Sequence, residues 1–137
     1  MSTRRSASRL APPSTWRDPR HQLGHDAELD VARFLTSAGW RVLAHRFRAG
    51  RSDIDLVVRR ADVVAFVEVK ARRTDACGDG LEAIGRAKQR QLARAAEWWC
   101  LRQADAPVQY RFDVVTVRYG PDGPSFLHLE DAWRSGE

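Results

Sequence analysis

Apolar residues recur every three to four positions in two stretches of the chain, which is the spacing of an amphipathic helix. The first stretch begins at Leu23 and ends at Gly39, since glycine commonly follows the last turn of a helix. The second runs from Leu81 to Arg102. The side chains predicted to face the core are Ala27, Val31, Phe34, Leu35 and Ala38 in the first helix and Leu81, Ile84, Leu92, Ala95, Ala96 and Trp99 in the second.

Five other stretches have the alternation, or the apolar runs, of β-strands. In one of them Ile54, Leu56 and Val58 are predicted to share a face, and the strand after it is apolar on both faces for most of its length. A tight turn at Ala61 and Asp62 joins these two strands into a hairpin. The predicted strands are Trp40–Phe47, Asp53–Arg59, Val63–Lys70, Tyr110–Tyr119 and a short edge strand, Phe126–Leu129.

The order of elements, α-β-β-β-α-β, predicts an α/β fold with a mixed central sheet flanked by helices. The third and fourth strands should be parallel, because a helix connects them. A length of 137 residues suits one domain. We expect a disordered basic tail over residues 1–20, a single domain over 21–130 and a frayed end over 131–137.

Charge and composition limit the classes of function that the chain can have. The net charge is +5, but the first 22 residues hold five arginines against one aspartate, so the remainder is close to neutral. No apolar run approaches the ~20 residues of a membrane span, and no secretory signal follows the N-terminal arginines. Cys77 and Cys100 match no zinc or redox spacing, which favours free thiols and a cytoplasmic location.

The hairpin brings charged residues together. If the chain turns on Ala61 and Asp62, antiparallel pairing places Asp55 opposite Glu68 and Asp53 opposite Lys70. Glu68 and Lys70, two positions apart, share a face. Only two of the 23 basic residues are lysines, Lys70 and Lys88.

Two carboxylates directed at one point form an oxygen site for Mg²⁺ or Mn²⁺, and the backbone carbonyl of Val69 could be a further ligand. Such an ion neutralises charge on a phosphate and acidifies a bound water, while Lys70 could orient that water. Without such an ion, the same residues would be ordinary cross-strand ion pairs on the surface, which contribute little to stability.

Four segments carry a family resemblance: Gly24-His25-Asp26-Ala27-Glu28, Asp53-Ile54-Asp55-Leu56-Val57, Phe66-Val67-Glu68-Val69-Lys70-Ala71-Arg72 and Arg111-Phe112-Asp113-Val114-Val115. Together they resemble the YraN-like family of small bacterial proteins, an uncharacterised family of the restriction-endonuclease-like superfamily that is similar to archaeal Holliday-junction resolvases. The resemblance covers roughly residues 22–118. Its strongest part is the Phe66–Arg72 segment after an acidic strand.

The resemblance implies a restriction-endonuclease-like core and a Mg²⁺- or Mn²⁺-dependent endonuclease that hydrolyses DNA, with branched recombination and repair intermediates among its candidate substrates. The superfamily pattern of an acid followed by acid-x-Lys maps onto Asp55, Glu68 and Lys70 as catalytic residues. A further helix glutamate maps onto Glu28, which could instead be an exposed first-turn acid. Asp53 stands where the family has glutamate, so its place among the metal ligands is left open.

Other residues are assigned by position. Lys88, Arg72, Arg73 and Arg86 flank the expected site and are candidate contacts to nucleic-acid phosphates. Lys88 is predicted on the buried stripe of its helix, where it could also form a structural ion pair. Asp113, among apolar neighbours, is predicted to have a buried structural partner.

Two alternatives to an enzyme stay open. The chain could be a nucleic-acid-binding module of nuclease fold without turnover, or a protein-interaction module that uses the sheet face or Trp98 and Trp99. DNA is the expected partner, and no membrane is expected. Cutting a junction would call for a two-fold homodimer, which stays open because the sequence does not identify a self-complementary patch.

Overall fold

The computed structural model describes residues 19–73, 84–103 and 109–134. The chain forms two helices and five strands. In chain order these are α1 (Pro19–Ser37), β1 (Arg41–Ala49), β2 (Ser52–Arg60), β3 (Val63–Arg73), α2 (Arg86–Leu101), β4 (Gln109–Gly120) and β5 (Gly123–Trp133).

The strands form one mixed sheet in the order β1-β2-β3-β4-β5. Neighbours are antiparallel except β3 and β4, which are parallel because the chain crosses over through α2 between them. The predicted α/β class is confirmed, and the arrangement is consistent with a restriction-endonuclease-like core. The predicted parallel pair is also confirmed.

The two helices cover opposite faces of the sheet. Leu56, Val58, Ala65 and Val67 pack with α1, while Val57, Val64 and Phe66, which alternate with them along the strands, pack with α2. The α1 stripe is buried as predicted at Ala27, Val31 and Leu35, and Phe34 is partly buried. Ala38, predicted on the same stripe, is exposed because it lies after the last helical residue. Gly39 ends that helix with a φ of 95°, a conformation that glycine adopts without steric cost.

The hairpin has the predicted register. The turn is formed by Ala61 and Asp62, and paired residues run from Arg60 opposite Val63 to Leu56 opposite Val67. Ala61 has a φ of 53°, as a two-residue hairpin turn requires at its first central position. The residues on both faces of β3 are buried from Val64 to Val67, in agreement with its continuous apolar sequence.

The predicted common face of Ile54, Leu56 and Val58 is wrong for Ile54, which packs with Val57 on the α2 side. The cause is a local break in alternation. Between the pairs His45–Leu56 and Phe47–Ile54, β1 carries Arg46, whose φ of 55° lies in the left-handed region. In both strands, the regular alternation of side chains between the two faces of the sheet is therefore interrupted at Arg46 and Asp55.

Several element boundaries also differ from the predictions; α1, for example, begins at Pro19 rather than Leu23. α2 begins at Arg86 rather than Leu81, because Gly85 is extended (φ −63°, ψ 156°) and acts as the N-cap; Leu81 itself lies outside the described residues. β5 is longer than predicted and continues through Trp133, whose ring stacks on Phe112 with centroids 3.9 Å apart. Residues 131–133, expected to be frayed, therefore belong to the sheet.

Several predictions fall on the undescribed parts of the chain. The expected basic tail lies there except for Pro19 and Arg20, which begin α1, and so does Cys77. Cys100 is a free thiol on α2. In the ranges that the structure describes, no helix is long and apolar enough to cross a membrane.

Asp113 fixes β5 to β4. Its carboxylate is fully buried and accepts hydrogen bonds from the Arg111 guanidinium (2.9 and 3.1 Å) and from the backbone N–H of Asp131 (3.0 Å). His128 Nε2 is 2.7 Å from the same carboxylate. Although burial alone would raise the pKa of Asp113, these partners hold it below its usual value. The predicted buried structural role of Asp113 is confirmed.

We expect Asp113→Ala to lower the free energy of unfolding by about 3–5 kcal/mol at pH 7, because it leaves buried donors without an acceptor. A carboxyl with a lowered folded-state pKa stabilises the fold above its unfolded-state pKa, and that contribution is lost as the pH falls through the folded value. The difference from wild type should therefore shrink at pH 3. Urea unfolding at both pH values measures it.

Asp122→Ala is the matched control, since Asp122 is exposed in the turn between β4 and β5. It should change the free energy of unfolding by less than about 0.5 kcal/mol. Equal stabilities of Asp113→Ala and Asp122→Ala at pH 7 would contradict the structural role of Asp113.

Candidate active site

The site forms where β2 and β3 part. Because Arg60 and Val63 close a two-residue turn, the odd-numbered residues of β3 direct their backbone groups toward β2. After Leu56–Val67 the regular pairing ends, and the next such N–H, that of Val69, donates to the Asp55 side chain at 2.9 Å. A side-chain carboxylate thus takes the position of a backbone acceptor.

Glu68 lies next to Asp55, as the hairpin register predicted. The two carboxyl groups interact electrostatically, since the charge of Glu68 raises the pKa of Asp55. Glu68 has one face in common with Phe66 and Val64, so its side chain points toward the N-terminal end of α2. The side chain of Glu68 is 17% exposed.

Both carboxyls are electrostatically strained. Burial raises the pKa of Asp55 well above its usual range, and the charges of Glu68 and Glu28 raise it further, against the Val69 N–H and Lys88. Burial also raises the pKa of Glu68, although Lys88 and Lys70 oppose this. In the described part of the chain, Glu68 Oε1 is one of two buried side-chain oxygens with no hydrogen-bond partner, the other being Asp53 Oδ1.

Glu28 completes a group of three acids, but its environment differs. It is buried on α1, and its carboxylate is 2.5 Å from His45 Nε2 and accepts hydrogen bonds from Arg46 at 3.0 and 3.3 Å. The alternative of an exposed first-turn acid is therefore wrong, because Glu28 is buried in mid-helix. Its charge nevertheless reaches Asp55 and Glu68, since it raises the pKa of both.

Two lysines face the acids. Lys70 follows Glu68 by two residues on the same face of β3, and its charge lowers the pKa of Glu68. Lys88 lies in the first turn of α2, with Nζ 3.8 Å from Glu68 Oε2. Lys88 is half exposed, so its predicted place on the buried stripe of the helix is wrong, a consequence of the later start of α2.

The donor set fits a hard divalent cation. A magnesium-type site needs only one or two carboxylates, with water and substrate phosphate completing the shell. Glu68 Oε1 offers a buried oxygen without a partner, and Asp55 is next to it. The Val69 carbonyl points to the same side as its N–H, toward Asp55. Within the described ranges, no group of three or more His, Cys, Asp or Glu side chains is placed to hold a metal ion, so the side-chain ligands of such a site would be the two carboxylates.

The remaining predicted residues are distributed around this group. Asp53 pairs with Arg48 of β1 (Nε to Oδ1, 3.7 Å) rather than with Lys70, because β2 has already left β3 at that level. Arg72 is partly buried near the end of β3, and Arg86 is exposed at the start of α2. The side chain of Arg73 lies outside the described residues.

Sequence reasoning missed His45 and Arg46. The His45 side chain is 1% exposed, and with Arg46 it supplies the side-chain partners of the Glu28 carboxylate. The available signal was two adjacent polar residues inside β1, a strand that also carries Arg41 and Arg48. Their partner could not be identified, because it lies 17 and 18 residues away on α1.

Comparison with known proteins identifies relatives of similar length. The model of the uncharacterised protein family UPF0102 matches residues 27–117. A UPF0102 protein of Symbiobacterium thermophilum is 43% identical over 102 residues, which are 74% of this chain and 86% of that protein. One from Mesorhizobium japonicum is 43% identical over 106 residues, 77% of this chain and 83% of that protein.

Asp55→Asn should stabilise the protein in EDTA. An acid whose folded-state pKa is raised destabilises the fold as the pH rises through its unfolded and then its folded pKa, so the cost is complete at high pH. We expect Asp55→Asn to raise the free energy of unfolding by about 1–3 kcal/mol at pH 8 and by less at pH 5. Urea unfolding at both pH values measures this.

Asp62→Asn, at the turn of the same hairpin, removes an exposed carboxylate and serves as the control. Its stability should match that of wild type at both pH values. A loss of stability in Asp55→Asn at pH 8 would mean that the Asp55 charge supports the fold.

Proposed function

The chain belongs to the uncharacterised protein family UPF0102, and from that premise we propose that it is a Mg²⁺- or Mn²⁺-dependent endonuclease that hydrolyses phosphodiester bonds in DNA. The observation that carries the proposal is the Asp55–Glu68 pair. Two neighbouring carboxyls have raised pKa values, and one buried oxygen lacks a partner. The carboxylates of structural ion pairs normally have neighbouring donors for their oxygens. The carboxylates of a cation site leave oxygens without such donors.

Asp55, Glu68 and the Val69 carbonyl would hold the ion. Bound there, it would supply Lewis acidity toward a phosphate oxygen and would lower the pKa of a coordinated water. The Val69 N–H fixes the orientation of Asp55 through its Oδ2 atom, which leaves the Oδ1 atom to the ion. Such support of a ligand by a second group is typical of metal sites.

Lys70 would hold the attacking water. Its ammonium follows Glu68 on the same face of β3, so it can donate hydrogen bonds to an oxygen beside the carboxylates. It would also stabilise the negative charge that develops on the phosphate. Glu28, whose carboxylate is paired with His45 and Arg46, would act on the charge of the site rather than as a direct ligand.

Basic residues surround the acids where a phosphate backbone would pass. Lys88 and Arg86 are exposed on the first turn of α2, and Arg72 lies near the end of β3. Contacts of this kind position a nucleic acid without reading its sequence. These basic residues support recognition of the substrate through its phosphate backbone. Branched recombination intermediates and duplex DNA both offer such a backbone.

Cleavage by wild type should require Mg²⁺ or Mn²⁺ and should be abolished by EDTA. Asp55→Asn, Glu68→Gln and Lys70→Met should each lower the rate at least about 100-fold, since groups that merely orient a metal ligand already contribute 10–100-fold. The measurement is a gel assay with labelled duplex, flap and four-way-junction DNA. Asp62→Asn should cleave like wild type.

The result has three distinct outcomes. Metal-dependent cleavage that all three variants lose would support the proposal. Salt-dependent DNA binding without cleavage would replace it by the binding module. Neither cleavage nor binding would exclude both and leave the protein-interaction module.

A further inference from the structure

Lys88 forms an ion pair with Glu68, one of the candidate metal ligands. Its Nζ is 3.8 Å from Glu68 Oε2, and its charge lowers the pKa of both Glu68 and Asp55. Gly85 caps the start of α2, which leaves Lys88 in the first helical turn, where its ammonium faces Glu68. Lys88 thus stands beside the carboxylates as a counter-ion.

This ion pair is easily broken. The separation of 3.8 Å is longer than a direct charge-assisted hydrogen bond, and the Lys88 side chain is 46% exposed. Exposed ion pairs of this kind contribute little to stability. Lys88 can therefore leave Glu68 for solvent or for another anion without unfolding its surroundings. The contacts of Glu28 are closer, since that carboxylate is buried and has its partners at 2.5 and 3.0 Å.

A divalent ion and the Lys88 ammonium cannot both neutralise Glu68 favourably. An ion bound to Glu68 would bring two positive charges to the carboxylate that Lys88 now faces, and like charges at such distances repel. Each cation must therefore weaken the binding of the other. The displaced ammonium would remain on the exposed rim of the site, where a phosphate of the substrate would lie.

We propose that Lys88 is a resident counter-ion of the Asp55–Glu68 pair, which a divalent metal displaces, and that the released ammonium then binds a phosphate of the nucleic acid. The inference rests on the proposed function, because it requires these acids to bind a metal. In this role Lys88 couples the binding of the metal to the binding of the nucleic acid, because metal binding releases the Lys88 ammonium to contact a phosphate. By linkage, the nucleic acid must raise the affinity for metal by the same factor.

The first test measures Mn²⁺ binding to the full chain by calorimetry at pH 8, without nucleic acid. Lys88→Met should bind Mn²⁺ about tenfold more tightly than wild type, because the competing charge is gone. Lys88→Arg, which keeps the charge, should bind within about threefold of wild type. Arg90→Met removes an equal charge from an exposed position on the same helix and should change the affinity less than twofold.

Unchanged or weaker Mn²⁺ binding by Lys88→Met would overturn the inference, since Lys88 would then be indifferent to the metal or would prepare Glu68 for it. In either case the wild type would still bind Mn²⁺, and the proposed function would stand. Absence of Mn²⁺ binding in wild type and in every variant would overturn the proposed function together with the inference.

The second test measures the coupling. DNA affinity is determined by fluorescence anisotropy in EDTA and with Ca²⁺, which takes the same oxygen ligands. We expect Ca²⁺ to raise the affinity of wild type and Lys88→Arg about tenfold, and that of Lys88→Met at least threefold less. An equal gain in wild type and Lys88→Met would mean that no phosphate contact is released, and would overturn the inference.

Discussion

The hydrogen bond from the Val69 N–H to Asp55 is the contact on which the candidate site depends. It lies where the next backbone pair between β2 and β3 would form, and it substitutes a carboxylate for a carbonyl. Because the donor is satisfied, the two strands can part without leaving a buried amide unpaired. The parting keeps Asp55 beside Glu68 and turns Asp53 toward β1.

The three acids of the site divide into two kinds. Glu28 has His45 and Arg46 as partners, and Arg46 adopts a left-handed backbone conformation beside Asp55. For a residue other than glycine that conformation is unfavourable, and it persists because the surroundings require it. Asp55 and Glu68 have fewer partners, since the Val69 N–H donates to Asp55 and Lys88 lies 3.8 Å from Glu68. Such strain at a cluster of buried acids is typical of functional sites.

Much of this site could be predicted from the sequence, because the two-residue turn at Ala61 and Asp62 fixes which residues face each other. That register holds from Arg60–Val63 to Leu56–Val67 and brings Asp55 to Glu68. Sequence could not predict where the pairing stops. The pairing of β2 with β3 ends where a side chain replaces a backbone acceptor, and β1 also affects this point. Neither feature leaves a mark in the pattern of hydrophobic and polar residues. For the same reason Ile54 was assigned to the wrong face.

Two aspartates show why burial alone does not identify a functional acid. Asp113 is fully buried, yet it has Arg111, His128 and the Asp131 N–H around it, and its pKa falls. Asp55 has the Val69 N–H and two neighbouring acids, and its pKa rises. Both aspartates lie on strands among apolar neighbours, and the sequence separates them only through the hairpin register, which places Asp55 next to Glu68. The number of donors around each carboxylate separates them, because it decides whether the fold or a ligand must supply the compensating charge.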